Sequence, residues 1–410
     1  MAKEYLDLIT VLDIGSSKIM MAIAEVMPEG ELRLAGVGTA PSSGVSRGAV
    51  DDIKATKEDI QQALAEAEQS AGCKVHHVAW ASITGEHIVG RYEQGKQTLG
   101  GREATELDMV RLADNAREGH ARVLWVEPQE IRMDDKPLKE PIGMRGSRLE
   151  MDAYLLISED KTIENIEKCA HQCGLQIGNF IPSAYASGRA ILTQDERKLG
   201  TLVLDIGADT MDIALFHGDA MRHMEVWPWA GNKITWDIAN GLGIPLKDAE
   251  AFKINHGYAK EVLAHPQEQI QVQTLGEHSL KSIKLSTLAQ AIESRLRDFL
   301  EVAERVVMDA GYQKKLGGGV VLTGGTTVTP GILQLASEVL PCSVRCGMPR
   351  FPEGLADIPT MAHPSAATIM GLLETGREAR LRGFHGKRPN NAVSGFSRVT
   401  RFWEYIKDKL

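Results

Sequence analysis

The pentapeptide VLDIG occupies Val11–Gly15 and recurs, letter for letter, at Val203–Gly207. Behind the first copy stand Ser16, Ser17 and Lys18 and an apolar run, Ile19–Val26. Behind the second stand Ala208, Asp209 and Thr210 and the run Met211–Phe216. Two apolar, β-prone stretches around a short polar turn read as a hairpin. The first hairpin leads into a strand pattern at Leu32–Val37, a helical pattern at Ile53–Ala71 and a strand pattern at Val75–Ile83. The second opens at Leu199–Leu204 and leads into a strand pattern at Ala220–Val226 and a helical pattern at Gly231–Leu242. Self-similarity over so long a period marks a duplicated half-molecule, not a solenoid unit. The expectation is an α/β protein whose two βββαβ halves present matching turns to one cleft.

The rest of the chain falls around these halves. Residues 1–85 and 161–198 are assigned to the first core, and 199–243 and 291–376 to the second. Residues 86–160 are hydrophilic, with strand candidates at His87–Arg91, Arg122–Arg132 and Glu150–Ile157, and read as an inserted α+β subdomain. A second insertion, 244–290, carries a charged helix at Leu246–His256. A long helix near Leu288–Ala310 follows, then a strand at Val320–Leu322, the turn GGTTVTPG and a helix at Ile332–Leu340. Residues 377–394 are basic and turn-rich, as in a flexible linker, and 395–410 close the chain as a separate helix.

With 410 residues the chain is long enough for two to four domains. A net charge of -9 argues against a general nucleic-acid binder. The charge is uneven: residues 377–410 hold nine basic against three acidic side chains, a net +6, which leaves about -15 on the body. A basic tail on an acidic body suits an anionic surface. MAKEYLDLIT has no long apolar core of a secretory signal, and no apolar run is long enough to span a bilayer, so a cytoplasmic protein is expected. Five cysteines, an odd number, fit a reducing compartment. Cys169/Cys173 and Cys342/Cys346 lack the CxxC spacing and a suitable histidine partner, so they read as core thiols and not as zinc ligands.

An aspartate ending a buried strand before a tight glycine turn is a phosphate arrangement. Glycine lets backbone N–H groups approach an anion, and the carboxylate holds hydrated Mg²⁺ that bridges the phosphates. Asp13 and Asp205 are the expected Mg²⁺-side carboxylates. Gly15, Ser16, Ser17 and Lys18 would meet phosphates on one side, and Gly207, Ala208, Asp209 and Thr210 on the other. Gly324, Gly325 and Thr326 follow a strand and precede a helix, a place for a flat ring or a phosphate. Glu250 and Lys253 are three apart, hence on one helix face; that spacing alone describes an exposed ion pair equally well.

DIG…K, DIGADTMD and VLTGG together resemble the phosphate-1, phosphate-2 and adenosine motifs of the actin/Hsp70/sugar-kinase superfamily. Within it the chain is similar, from first strand to last residue, to the FtsA family of actin-like bacterial division proteins. Supporting stretches are GVGTAPSSGVSRGAVDD, QEIRMD, PIGMRGSRLE, CGLQIGNFIPSAYAS and DAEAFKINHG. The resemblance implies an actin-like ATPase fold that binds ATP and Mg²⁺, with Glu250 and Lys253 at the ribose and adenine. It also implies self-assembly into filaments, binding of the tubulin-like division protein FtsZ through 244–290, and recruitment of other divisome membrane proteins, with a role for 86–160. Two departures stand out. The superfamily favours Gly-Gly where this chain has Ala208-Asp209; Asp209 could assist the metal, weaken nucleotide binding or point away. In the segment linking the halves, relatives carry an acidic or amide residue to position water, and here Ile181 stands in Phe180–Ala184. Binding with slow or negligible turnover is therefore expected, with Asp205 as the sole candidate catalytic helper.

In FSRVTRFWEYIKDKL, Phe396, Val399, Phe402, Trp403, Ile406 and Leu410 fall within an arc of about 120° on a helical wheel, with Arg401 and Lys407 outside it or at its edges. This is the pattern of a helix lying in an anionic membrane interface. A helix docked on its own body is the competing reading, but such a helix needs no long basic tether. The family's C-terminal membrane-targeting helix agrees, and implies a peripheral protein on the cytoplasmic face of the inner membrane at the septum. The alternatives are a small-molecule kinase or phosphatase of the same fold, for which no acceptor base is evident, and a pilus-assembly relative, which would lack the terminal helix.

Overall fold

The computed structural model describes residues 8–275, 280–350 and 361–381. The first half runs through β1 (Leu8–Ile14), β2 (Lys18–Val26), β3 (Leu32–Pro41), the small pair β4 (Val45–Ser46) and β5 (Ala49–Val50), α1 (Ile53–Ala71) and β6 (His77–Ile83). The insertion contributes β7 (Val89–Thr98), α2 (Glu106–Arg117), β8 (Val123–Met133), β9 (Lys136–Leu138) and β10 (Arg148–Ile157). The chain then returns through α3 (Asp160–Gln172), β11 (Gln176–Pro182), α4 (Ser183–Ile191) and α5 (Gln194–Leu199).

The second half opens with β12 (Thr201–Ile206), β13 (Met211–His217) and β14 (Ala220–Trp227), followed by α6 (Gly231–Leu242) and α7 (Leu246–His256). A small hairpin of β15 (Gln269–Gln273) and β16 (Leu280–Lys284) leads to α8 (Leu285–Asp309), β17 (Gly319–Thr323), α9 (Ile332–Val339), β18 (Val344–Cys346) and α10 (Ala367–Leu381).

Strand order shows the duplication directly. One sheet is β11-β6-β1-β2-β3 and the other β14-β13-β12-β17-β18. In each, three consecutive antiparallel strands are extended by two parallel ones: β6 beside β1 and β11 beside β6, then β17 beside β12 and β18 beside β17. The central strands β1 and β12 are buried on both faces, which is why VLDIG is apolar throughout apart from its aspartate. Leu202 and Leu204 pack into the core of the second half, beneath α6 and α8. Val203, Ala214 and Phe216 point the other way, into a core continuous with the first half.

The insertion forms its own sheet, β7-β10-β8-β9, with α2 packed on it. Its inner side also covers β14, the edge strand of the second half. Buried Tyr154 exchanges hydrogen bonds with the backbone of Met224, its Oη donating to the carbonyl and accepting from the N–H, both at 3.0 Å. Glu127 accepts from Trp125 Nε1 at 2.8 Å and from the Met221 N–H at 3.2 Å. A sheet edge that would stand open is thereby closed.

Three sequence assignments need correction. Residues 367–376, given to the second core, lie in α10, which crosses α4 and packs on β1, β2 and β6 of the first half. The reason is that α10 is apolar on most of its circumference and is buried on several sides at once. Residues 377–381, given to the linker, are its last turn: Arg189 pairs with Glu378, and Arg380 Nη2 donates to the Leu8 carbonyl at 3.0 Å. Residues 285–290, given to the second insertion, already belong to α8, where Leu285, Leu288 and Ala289 are core positions. No helix among the described residues is long and apolar enough to cross a membrane. The terminal-helix assignment (Phe396, Val399, Arg401, Phe402, Trp403, Ile406, Lys407, Leu410) lies outside the described residues.

Candidate functional site

Both VLDIG turns close in the same way. The Gly15 N–H donates to the Lys18 carbonyl at 3.1 Å, and the Gly207 N–H to the Thr210 carbonyl at 3.0 Å. They face each other across a cleft of about 370 Å³. Every residue the sequence assigned to phosphates, ribose or adenine lines that cleft, as do Asp13 and Asp205. Ser183, Asn232, Ser365 and Thr368 line it too, and none of these was singled out from sequence.

Asp13 and Asp205 end the central strands. Asp13 Oδ1 accepts from Ser82 Oγ at 2.7 Å, and the same hydroxyl accepts the Ile14 N–H at 2.9 Å. Asp205 Oδ2 accepts from Ser187 Oγ at 2.5 Å and from Thr368 Oγ1 at 3.4 Å. Burial pushes the Asp13 carboxyl up, against the Ser82 hydrogen bond and the Lys18 charge. Burial pushes Asp205 up to about 6, opposed by Ser187. Asp212, the cross-strand neighbour of Asp205, is pushed up to about 8 by burial and by the Asp205 charge. Its Oδ1 accepts from Thr84 Oγ1 of the first half at 2.6 Å. Burial lowers the Lys18 ammonium, while Asp13 and Asp205 raise it, and Lys18 Nζ donates to Ser365 Oγ at 2.9 Å.

Two buried carboxylates, Asp13 and Asp205, thus converge on one lysine, with Asp212 beside Asp205. Such a site gains from a cation that neutralises it. Among the described residues no cluster of three or more His, Cys, Asp or Glu side chains forms a protein cage for a metal. Asp13 and Asp205, two oxygen-donor carboxylates beside the facing turns, are a donor set that fits a hydrated Mg²⁺.

The other end of the cleft is built by α6, α7 and the loop after β17. Lys253 Nζ pairs with Glu250 at 2.7 Å and donates to the Gly231 carbonyl at 2.9 Å and Thr235 Oγ1 at 2.8 Å. The shared helix face expected from their spacing is present. Gly324 adopts φ +88°, and a Cβ there would lie 2.5 Å from both Asp205 Oδ1 and the Ile206 carbonyl. Thr326 Oγ1 donates to the Gly207 carbonyl at 2.9 Å, joining the third motif to the second turn.

The two departures resolve into geometry. The Asp209 carboxylate is turned to Asn232 and to the Arg47 N–H. Ile181 is fully buried in β11, paired in register with Ser82, and does not line the cleft. Ser183, two residues on at the start of α4, is the polar side chain of that segment that reaches it.

A family model described as the cell division protein FtsA matches residues 202–371, and one for the SHS2 domain inserted in FtsA matches residues 85–157. The chain is 36% identical over 395 residues to the cell division protein FtsA of Pseudomonas aeruginosa, covering 95% of this chain and 93% of that one. To the FtsA of Escherichia coli K12 it is 35% identical over 389 residues, covering 92% of each. The chain belongs to the FtsA family of cell division proteins. The family resemblance read from the motifs holds, and the insertion coincides with the family's SHS2 domain. Among solved structures, the PilM-PilN type IV pilus biogenesis complex superposes with a TM-score of 0.61 at 16% identity, covering 90% of this chain and 98% of that one. MreB5 of Spiroplasma citri bound to ADP does so with 0.57 at 11% identity, covering 92% and 98%. At such identities the likeness is one of fold, and the fold of this FtsA-family chain is actin-like.

Proposed function

We propose that this chain is an ATP-binding, actin-like scaffold of cell division that works on the cytoplasmic face of the inner membrane at the septum. One observation carries the nucleotide part: two identical aspartate-glycine turns, closed by the same hydrogen bond, meet across one cleft. That ADP and AMPPNP are bound by MreB5 of S. citri, a neighbour in fold, supports it. Ser16, Ser17 and Lys18 hold phosphates from one side, and Gly207, Ala208 and Thr210 from the other, with Asp209 contributing its backbone alone. Asp13 and Asp205 hold Mg²⁺ through water, and the metal when bound neutralises triphosphate charge. Glu250 and Lys253 receive the ribose and base beside Gly324 and Gly325. Ile181 cannot orient an attacking water, so turnover is slow, and Asp205 is the sole helper.

Closure of the halves around ATP prepares the surface that polymerises. The helix at 395–410 lies in the membrane interface, where each basic residue contributes about 1 kcal/mol against an anionic leaflet. One such helix binds reversibly; a filament that presents many converts weak contacts into avidity. The filament tethers FtsZ through the second insertion and recruits later divisome proteins.

Liposome co-sedimentation of the full chain and of residues 1–394, with and without Mg-ATP, tests the reading. The truncated chain is expected to stay in the supernatant, and retained lipid binding would remove the membrane role from the tail. Asp13→Ala is expected to lose retention of labelled ATP while keeping lipid binding. Rapid phosphate release would favour a kinase or phosphatase instead.

A further inference from the structure

Asp209 joins the two halves of the molecule at the lip of the cleft. It stands in the second turn, where the superfamily favours glycine. Its Oδ1 accepts from Asn232 Nδ2 at 2.8 Å, and its Oδ2 accepts the backbone N–H of Arg47 at 3.2 Å. Arg47 belongs to the first half, 162 positions earlier.

Both partners are firmly held. Asn232 is the second residue of α6, and its own N–H donates to the Ala208 carbonyl at 2.7 Å, beside the aspartate. Arg47 lies in the tight connection between β4 and β5, whose base is tied by the Asp51 N–H to the Gly44 carbonyl at 3.0 Å. The same loop is fastened to the first turn, where the Ser42 N–H donates to the Ser17 carbonyl at 3.0 Å. The carboxylate therefore bridges two rigid pieces, each already bonded to one of the facing turns. Asp209 lines the inner cleft and also, with Arg47, Ser16 and Ser17, an open groove outside the turns. The contact stands where the two spaces meet.

We infer that Asp209 is a clasp that holds the first-half loop against the second-half turn and so retards escape of a nucleotide from the cleft. The inference rests on the nucleotide reading above and deepens it. A bound ligand leaves when the halves separate. A contact made only in the closed arrangement lowers the open population in proportion to its strength. Hydrogen bonds to a carboxylate are stronger than neutral ones. In this role Asp209 is a positioning residue: it acts on the ligand through the halves and not by touching it.

The test uses the full chain and three variants: Asp209→Ala, Asn232→Ala and Arg47→Gly. Stopped-flow chase of a fluorescent ATP analogue, in Mg²⁺, gives the dissociation rate. Amide hydrogen exchange at Arg47 in the nucleotide-free protein reads the contact itself. Asp209→Ala is expected to release the analogue roughly tenfold faster and to lose protection at Arg47. Asn232→Ala, which frees one carboxylate oxygen, falls between. Arg47→Gly retains the N–H and tolerates the left-handed φ of 49°, so it releases as slowly as the parent. Release from Asp209→Ala at the parent rate, or unchanged protection at Arg47, overturns the clasp. If Asp209→Ala folds poorly, Asp209→Asn, which has one acceptor oxygen for two donors, is expected to show the same acceleration at smaller size. A parent that shows no saturable binding sinks the nucleotide reading and the retention role together. That outcome differs from failure of the clasp alone, in which the parent binds and the variants release no faster.

Discussion

Gly324 shows how a single position joins two motifs. Its φ of +88° suits glycine, and any Cβ would collide with the Asp205 carboxylate and the Ile206 carbonyl. The loop after β17 thus approaches the end of β12 as closely as backbone allows. Gly324→Ala is expected to lower stability by about 2–4 kcal/mol, from strain plus overpacking. It should also weaken ATP binding, because the displaced carboxylate is a metal-side ligand in our reading. Urea unfolding and a nucleotide titration check both, and unchanged values would show that the loop can retreat. Asp13, Asp205 and the glycines were legible because they sit in a repeated motif. The aspartates' hydroxyl partners, Ser82, Ser187 and Thr368, were not, since a lone hydroxyl in a strand or helix carries no local sign of what it faces.

Helix α2 illustrates stabilisation built into one element. Asp108 caps the start of the helix: its Oδ2 accepts from the Thr105 N–H at 2.9 Å and from Thr105 Oγ1 at 2.6 Å. Arg102 grips the same carboxylate with both terminal nitrogens, at 2.6 and 2.5 Å. Asp108 is fully buried, and these bonds, the Arg102 contact foremost, hold its carboxyl well below the usual carboxylate range. The folded value is depressed, so the stabilisation is complete above the unfolded value near pH 4 and is lost as pH falls below it. Asp108→Asn is expected to cost about 2 kcal/mol at pH 7. Its deficit against the parent should shrink steadily below pH 4. Chemical unfolding at pH 7, 4 and 3 measures this; a deficit independent of pH would assign the effect to packing instead. The sequence reading of an α+β insertion located its strands but not α2, although TELD carries the capping signature.

At the scale of the molecule, α10 ties the halves together. It follows the second sheet in sequence but packs across α4 and onto the first, and its first turn delivers Thr368 to Asp205. The crossing with α4 is close enough that a Cβ on Gly371 would stand 1.8 Å from the Ala186 carbonyl. Gly371→Ala should force the helices apart and cost about 3 kcal/mol. Because one core runs from the first sheet through α4 and α10 to Val203 and Phe216, both halves are expected to lose stability together in a single shifted thermal transition. Separate transitions would show that the halves unfold independently of this crossing.

The repeated VLDIG, its spacing and the strand-turn-strand pattern around each copy were enough to determine two matching halves, a shared cleft and the turn residues that line it. These are local patterns, written by burial on both faces of a strand and by the backbone freedom of glycine. Tertiary structure alone decided where α10 packs, which hydroxyls hold the aspartates, how the insertion covers β14 and which way Asp209 turns. Each of those depends on partners tens to hundreds of residues away, and a linear pattern records a side chain's preference for burial or water but not the identity of the group it meets.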